Sequence, residues 1–497
     1  MSKLNKKLIF HITGLLLMFN GLAMSLATIT SYMLNDGVFT ELLFSTILVI
    51  FSGWILMLFS KENSRKINKR DAYFIVVIGW LTMVCSGTIP YIVTDSIETF
   101  PNIFFETMSG YTTTGSTVIN DIEALPKSII FWRSITHWLG GMGIIVLAIA
   151  ILPLLGIGGM QLFSAEAPGL TGDKIHPRIS DTAKRLWLIY VGLTFLETLL
   201  LKLAGMSFFD AINNSMSNIA SGGFSTKNES IGFWNDNPLV QYIIIFFMFL
   251  AGTNFVLIYF GLLGKFKKII NDTEFKWYLS FIGVFVLITT LSLFFSVDLN
   301  STTVNHPEIY GKFESSFRHS LFQVVAIVTT TGFVTGDFVS WTPFLTMLFF
   351  GIMFMGGSSG STSGGVKVLR HLILIKNGLL EFKRSLHPNA IFPLRHNNHV
   401  VEKPIIIHVL AFFILYLILF IIGAGVLSLL GLDFESSIGG AASSLGNVGP
   451  ALGTLGPTNT FDSLPSIGKF WCAFLMLVGR LELFTVLIFF TPNFWKS

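Results

Sequence analysis

Apolar stretches long enough to span a bilayer recur from residue 8 to residue 491, broken by short polar or glycine-bearing links. A bilayer core of roughly 30 Å takes about 20 helical residues to cross. The pattern predicts two helices first, near 8–33 and 41–59, joined by the turn Leu34, Asn35, Asp36, Gly37 and followed by the basic stretch KENSRKINKR. After this hairpin the same unit is written four times: a helix, a short amphipathic segment with a loop, and a second helix. The paired helices are expected at 72–97 and 129–155, 186–204 and 238–263, 277–297 and 341–369, and 404–430 and 467–491. The segments between them, 102–111, 209–219, 316–328 and 434–445, are too short to span and begin with polar or acidic residues, including Asp210 and Glu435. They read as re-entrant half-helices. The expected fold is an all-α polytopic membrane protein, divided as 1–71 (hairpin and basic link), 72–163, 164–276, 277–403 and 404–497 (four repeats).

Composition agrees. Of 497 residues, 52% are hydrophobic and only 12% charged, and no soluble domain of ordinary size fits between the apolar stretches. A net charge of +4 would suggest an anionic partner in a soluble chain, but here Lys and Arg mark the cytoplasmic side first. Of the 32, eight (Lys127, Arg133, Lys202, Lys227, Lys312, Arg318, Lys469 and Arg480) fall elsewhere and the other 24 lie in the link after the hairpin, the links between repeats, the termini or at their borders, which places those links and both termini in the cytoplasm. The N-terminal MSKLNKKLIF resembles a signal peptide, yet its apolar stretch continues for more than 20 residues without a small-residue cleavage site, so it is read as the first membrane helix. Cys85 and Cys472 lie inside apolar runs and suggest neither a disulfide nor a thiolate metal site.

Four loops carry the chemistry. MSGYTTTGST (108–117), MSNIASGGFST (216–226), AIVTTTGFVT (326–335) and ASSLGNVGP (442–450) align without gaps on one glycine each: Gly115, Gly223, Gly332 and Gly449. Four strands of carbonyls from one chain are what a dehydrated cation needs around it. Half-helices entering from outside would also point their partly negative C-terminal ends at the membrane centre, which suits a cation.

The repeated unit, the stretch FWRSITHWLGGMGIIVLAIAILP (131–153), the run GGSSGSTSGGVKVLR (356–370) and the ending VGRLELFTVLIFFTP (478–492) together resemble the Trk, Ktr and HKT superfamily of potassium transporters. Within it the likeness is to the TrkH-type membrane subunit, which carries the extra N-terminal hairpin. The resemblance implies four non-identical repeats with pseudo-fourfold symmetry around one pore, a homodimer in the lipid of the cytoplasmic membrane, and a cytoplasmic ring of nucleotide-binding regulatory subunits. It implies potassium as the transported substrate, no bound cofactor, no nucleic-acid partner and no enzymatic activity.

Carried onto this chain, the filter would comprise Thr112, Thr113, Thr114 and Gly115; Ala220, Ser221, Gly222 and Gly223; Thr329, Thr330, Thr331 and Gly332; and Asn447, Val448 and Gly449. Ordinary loop glycines and helix-capping hydroxyls are the plain alternatives. In plant relatives a serine at the first glycine position goes with sodium permeation, so Gly115 favours potassium by analogy. The run Gly356, Gly357, Ser358, Ser359, Gly360, Ser361, Thr362, Ser363, Gly364, Gly365 cannot sustain a lipid-facing helix. The resemblance makes it an intramembrane gating loop below the filter; a kinked, closely packed helix is the alternative. Arg480, mid-way along the last predicted helix, should face the pore or a carboxylate. The resemblance has it project beside the gating loop, and a structural ion pair is the other reading. Lys367 is read either as a gating residue or as a side chain snorkelling to the inner surface. Arg133 and His137, four apart on one face, are expected to anchor at the interface or to pair with Glu106 or Asp121.

The histidines, among them His11, His176, His319, His387, His396 and His399, show no ligand spacing. Residues 370–403 and SAEAPGLTGDKIHPR (164–178) are either docking surface for a regulatory partner or solvated loops. The leading expectation is potassium uptake through a channel-like filter. Proton- or sodium-coupled symport would need a carboxylate relay, and Glu106, Glu197 and Glu482 form no evident chain. A multipass enzyme is the remote alternative, because no paired carboxylates for a divalent metal, phosphate loop or GxSxG nucleophile appear.

Overall fold

The computed structural model describes residues 4–60, 69–146, 179–298, 302, 304, 306–397 and 399–495. Most of the basic stretch after the hairpin, the 164–178 segment with His176 and the C-terminal end of the 129–155 helix lie outside these residues. Apart from a two-residue antiparallel pairing, Arg395–His396 with His399–Val400, every regular element is helical among the described residues.

The N-terminal hairpin is Lys6–Leu34 against Phe39–Leu58, reversed by Asn35 in the left-handed conformation (φ 50°). Its two helices cross at Gly14 and Gly53. A Cβ on either would lie 2.8 Å from the other's carbonyl oxygen, the close backbone approach that small residues permit in a membrane. Asn20, fully buried, fixes the hairpin to the first repeat: its amide donates to Ser86 Oγ (2.7 Å) and its carbonyl oxygen accepts from Tyr111 Oη (2.6 Å).

Each repeat has the predicted order. The half-helices are Phe100–Tyr111, Phe208–Ile219, Lys312–Val328 and Phe434–Gly446. Two are started by side-chain caps, Ser207 accepting from Asp210 N and Asp433 from Ser436 N, and the first has a proline in its opening turn. The first helices of the repeats, Lys69–Gly87 continued by Ile89–Val93, Ile179–Leu203, Thr273–Ser296 and Lys403–Leu429, are apolar enough to span and turn many large apolar side chains outward, as lipid contact requires.

Three of the second helices depart from the sequence expectation. The helix predicted over 238–263 is Pro238–Ala251 and Phe255–Leu262, bent by 108°. The helix predicted over 467–491 breaks after Arg480 with a bend of 112°, and Glu482 (φ 58°) and Leu483 (φ 45°) occupy the break. The helix predicted over 341–369 stops at Ile352, and a helix resumes only at Val368. Apolar composition runs through the breaks at 251–255 and after Arg480, so hydropathy alone cannot locate those two; the interruption between Ile352 and Val368 contains the glycine-serine run that the sequence marks as unable to sustain a helix. In the first repeat, Lys127–Val146 is unbroken over its described length.

Candidate functional site

Each half-helix ends in the same backbone figure. Thr113, Ser221, Thr330 and Asn447 are left-handed (φ 51°, 55°, 54° and 52°). Their amides bond back to the carbonyls of Gly110, Asn218, Ile327 and Ser444, and the next amides, of Thr114, Gly222, Thr331 and Val448, reach Ser109, Ser217, Ala326 and Ser443. This is a Schellman-type cap, which a non-glycine residue forms at some strain. One residue further on, Gly115, Gly223, Gly332 and Gly449 are again left-handed, at φ 85°, 83°, 73° and 106°. The register read from the sequence is therefore a repeated three-dimensional shape, including the degenerate fourth copy.

The four shapes close on one another. A Cβ on Gly115 would collide with the carbonyl oxygen of Gly222, one on Gly223 with that of Thr331, and one on Gly332 with that of Val448; one on Gly449 would approach Thr114 O to 2.8 Å. Each glycine thus packs on the carbonyl before the glycine of the next repeat, in the order 1, 2, 3, 4 and back to 1. Only hydrogen fits there, and the positive φ independently requires glycine. All four glycines line one cavity of about 190 Å³, on the side of the ring where the chain leaves each loop.

The hydroxyls divide between two tasks. Thr112 and Thr329 donate to Met108 O and Val325 O (both 2.7 Å) and contact Thr114 and Thr331, so they cap helices, the alternative named above. Ser221, Thr330 and Asn447 are turned to neighbouring chain: Ser221 Oγ to Thr362 Oγ1 (2.9 Å), Thr330 Oγ1 accepting from Gly364 N (2.6 Å), and Asn447 Nδ2 donating to Thr114 Oγ1 and Met476 O (both 2.9 Å). Thr113 Oγ1 is buried without a hydrogen-bond partner. Ala220 has no polar side chain to contribute and caps its half-helix through its backbone.

The glycine-serine run lies directly beneath. Gly356–Gly365 are non-helical and, except Gly360, buried or nearly so, and many of their backbone groups bond to other parts of the protein. Ser358 N donates to Gly252 O (2.8 Å), Thr362 N to Ala251 O (3.3 Å), Ser359 N to Glu274 Oε1 (2.6 Å) and Gly356 N to Val366 O (2.8 Å); Gly360 O accepts from Phe255 N (3.2 Å). The carbonyls freed by the break at 251–255 are the ones this loop takes up, which is the physical reason that helix bends. Gly357 N is held by Ser363 Oγ (3.1 Å), and Ser361 Oγ meets Ser363 Oγ (2.6 Å).

Lys367 does not snorkel. It is buried, and its Nζ turns back to Ser363 O and Ser363 Oγ. Arg480, also buried, donates through Nη1 to Thr362 O (2.9 Å) and through Nη2 to Gly140 O (3.3 Å). Among the described residues no carboxylate forms a salt bridge with it, so it bonds loop and helix carbonyls instead of an acidic partner. Glu482, two residues on, pairs with Arg370 (2.7 Å) at the start of the helix that follows the loop.

Sequence reasoning placed Arg133 and His137 at an interface, and the structure buries both completely. Arg133 pairs with Glu106 (Nη2 to Oε1, 2.8 Å), as one alternative had it, whereas Asp121 accepts from Asn228. His137 meets Ser217 Oγ (2.9 Å). Missed entirely were Gly252 and Asn254, which shape the second break, Glu274, and Phe224. The string Gly252-Thr253-Asn254 inside an apolar run was the available signal for the break. Among the described residues no group of three or more His, Cys, Asp or Glu could hold a transition metal.

The profile of the TrkH family, described as cation transport protein, matches residues 39–497. The chain is 39% identical to the Trk system potassium uptake protein TrkH of Salmonella typhimurium over 495 residues, covering 98% of this chain and 99% of that protein. It is 38% identical to the protein of the same name from Escherichia coli K12 over the same coverage. A crystal structure of the potassium transporter TrkH from Vibrio parahaemolyticus superposes with a TM-score of 0.89 at 34% identity, covering 99% of this chain and all of that one. A ring of four loops inside a multipass helical frame, with this agreement along the whole sequence, makes the chain a member of the TrkH family of cation transport proteins, a transporter family and not one of enzymes.

Proposed function

We propose that this chain is the ion-translocating subunit of a potassium uptake system in the cytoplasmic membrane, with a channel-like filter formed by the four loops. The closed ring in which Gly115, Gly223, Gly332 and Gly449 each abut the next repeat's carbonyl carries the reading. Such a ring presents oxygen atoms from four directions, and four half-helix C-termini add negative potential on its inner side. The names of the relatives supply the ion. The buried glycine-serine loop beneath, tied to Arg480 through Thr362, is the gate in this reading, and a guanidinium beside the path opposes cations while those bonds persist.

Opening is assigned to a cytoplasmic nucleotide-binding partner, with the chain as a homodimer and both termini inside. The link of residues 370–403 is the candidate docking surface. Coupled symport is the second reading. What favours passive flow is that Glu106, Glu197 and Glu482 each have a fixed local partner, Arg133, Asn218 (2.6 Å) and Arg370, on separate parts of the fold.

The test is the reversal potential of the purified chain in proteoliposomes under opposed potassium and sodium gradients, with and without an imposed pH gradient. A reversal that follows potassium alone supports the filter. One that moves with the pH or sodium gradient replaces it with coupled transport.

A further inference from the structure

Behind the outer mouth of the ring lies a buried assembly that joins the first repeat to the second. Glu106, on the first half-helix, is fully buried and accepts four kinds of bond: from Arg133 Nε (2.9 Å) and Nη2 (2.8 Å), from Thr117 Oγ1 (3.0 Å), and from Val118 N (3.0 Å). Thr117 and Val118 belong to the strand that leaves Gly115. The carboxylate therefore braces that strand against its own half-helix. In the third repeat the residue at the same register, nine before the glycine, is Gln323. Its amide oxygen, in the orientation that satisfies its neighbours, accepts from Thr335 N (2.7 Å), three after Gly332 as Val118 is three after Gly115. In the second repeat the position is Asn214, whose amide atoms are buried without partners, too short to bridge the same gap.

The second repeat has a brace of its own elsewhere, Thr226 Oγ1 donating to Asp210 Oδ1 (2.6 Å), and is held from outside as well. Phe224, next after Gly223, lies between two side chains of the first repeat that are four apart on one helix: Arg133, whose Cζ is 4.1 Å from the ring centre, and His137, whose ring stacks at 4.0 Å and 13°. Arg133 Nη1 reaches Ser225 O as well (3.5 Å). Arg133 and Gly223 both line the cavity outside the ring. A second basic residue there, Lys227, is paired with Glu123 at the solvent-exposed rim.

Resting on the filter reading above, we propose that Glu106, Arg133 and Phe224 form a charge-balanced clamp that fixes the spacing of repeats 1 and 2 at the filter mouth and cancels a positive charge facing the incoming cation. They are positioning residues. Glu106 orients and neutralises the guanidinium, the guanidinium and His137 hold Phe224, and Phe224 holds the strand after Gly223. The clamp is confined to one side of the ring and adds the first repeat's support to the bond that Thr226 makes within the second.

The test uses the full chain in cells lacking other potassium uptake, with membrane levels checked by blotting. Glu106→Gln leaves the buried guanidinium uncompensated, and the potassium concentration for half-maximal uptake should rise about tenfold at similar maximal rate, the order one uncompensated charge imposes on a nearby ion at intermediate dielectric. Glu106→Gln with Arg133→Gln removes both charges and should return that concentration to within about twofold of the parent. Glu123→Gln frees only the exposed Lys227 and should change it less than about twofold, because exposed charges are screened. Phe224→Leu leaves every charge in place and should lower the potassium-to-sodium uptake ratio.

Equal half-maximal concentrations in the single and double glutamine variants overturn the charge role. If Glu106→Gln does not reach the membrane, Phe224→Leu decides, and an unchanged ion ratio overturns the clamp. Gly332→Ala serves as the separate check on the filter itself. If it abolishes selectivity while the clamp variants behave as the parent, the filter stands and the clamp falls; if it too is without effect, the filter reading fails first.

Discussion

Replacing the ring glycines one at a time by alanine should give a graded loss whose order is set by the backbone. All four are left-handed, and a Cβ in that region costs about 1–2 kcal/mol relative to glycine. That alone shifts the ordered filter by a factor of roughly 5–30. The steric part separates the sites. At Gly115, Gly223 and Gly332 the new methyl would overlap the carbonyl oxygen of Gly222, Thr331 or Val448, which has to withdraw by about 1 Å in a close-packed setting. At Gly449 the approach to Thr114 O is 2.8 Å, so a few tenths of an ångström suffice. Gly449→Ala should therefore be the mildest of the four, and the other three should lose most potassium selectivity. Potassium and sodium uptake measured in parallel, at matched membrane levels, gives the order. A Gly449→Ala variant worse than Gly332→Ala, or four variants with parental selectivity, would refute the interlocking ring as the source of discrimination.

Three further outcomes are expected. Arg480→Met removes two charge-assisted bonds to Thr362 O and Gly140 O, each worth about 1.5–3 kcal/mol, and should raise rubidium flux without a regulatory partner by roughly tenfold or more; parental flux would dismiss the tether. Glu274→Ala strands the buried amide of Ser359 and should lower thermal stability by about 1–3 kcal/mol, while Glu274→Gln, which keeps an acceptor, should lose much less; equal losses in a thermal unfolding scan would count against that bond. Burial pushes the His396 imidazole, in the link before the fourth repeat, down to about 4, with nearby Asp272 opposing. The unfolded link binds its proton near pH 6.5, so its stability is complete above that value and is lost as pH falls toward 4. Hydrogen exchange of residues 390–403, corrected for intrinsic rates, should therefore accelerate between pH 7 and pH 5, and equal protection at both would contradict this.

The repeat register was legible because each loop keeps a glycine at the one position where a positive φ and a close carbonyl both require it. Thr113, Ser221, Thr330 and Asn447 differ chemically, yet each precedes its glycine by two and each adopts the same strained φ. The half-helices were legible from their length and polar starts. The interruption at 353–367 was legible from its run of glycines and serines, whereas the breaks at 251–255 and after Arg480 were not, since Ala251, Gly252, Leu481 and Leu483 continue largely apolar runs and the loop that bonds there lies far away in sequence. For the same reason Arg480, on sequence alone, faces either the pore or a carboxylate. A sequence shows which side chains are charged and does not show that the unwound carbonyl of Thr362 will be waiting for a guanidinium. Glu106 and Arg133 were named as partners, but Phe224 was silent, because an aromatic residue after a loop glycine is common in a chain with 50 phenylalanines.

The interruptions of the second helices are not scattered. The break at 251–255, the loop 353–367 and the break after Arg480 meet around residues 360–362, where Ala251 O, Phe255 N and Arg480 all bond the same short run. The four loops on one side of this level are fastened by interlocked backbone, and the continuations of the three interrupted helices are tied to it through one glycine-rich patch. Such a seam divides the second helices of repeats 2, 3 and 4 mechanically into a stiff collar and a set of levers. A force applied to the segments beyond the breaks is delivered to a handful of replaceable hydrogen bonds before it reaches the ring of glycines.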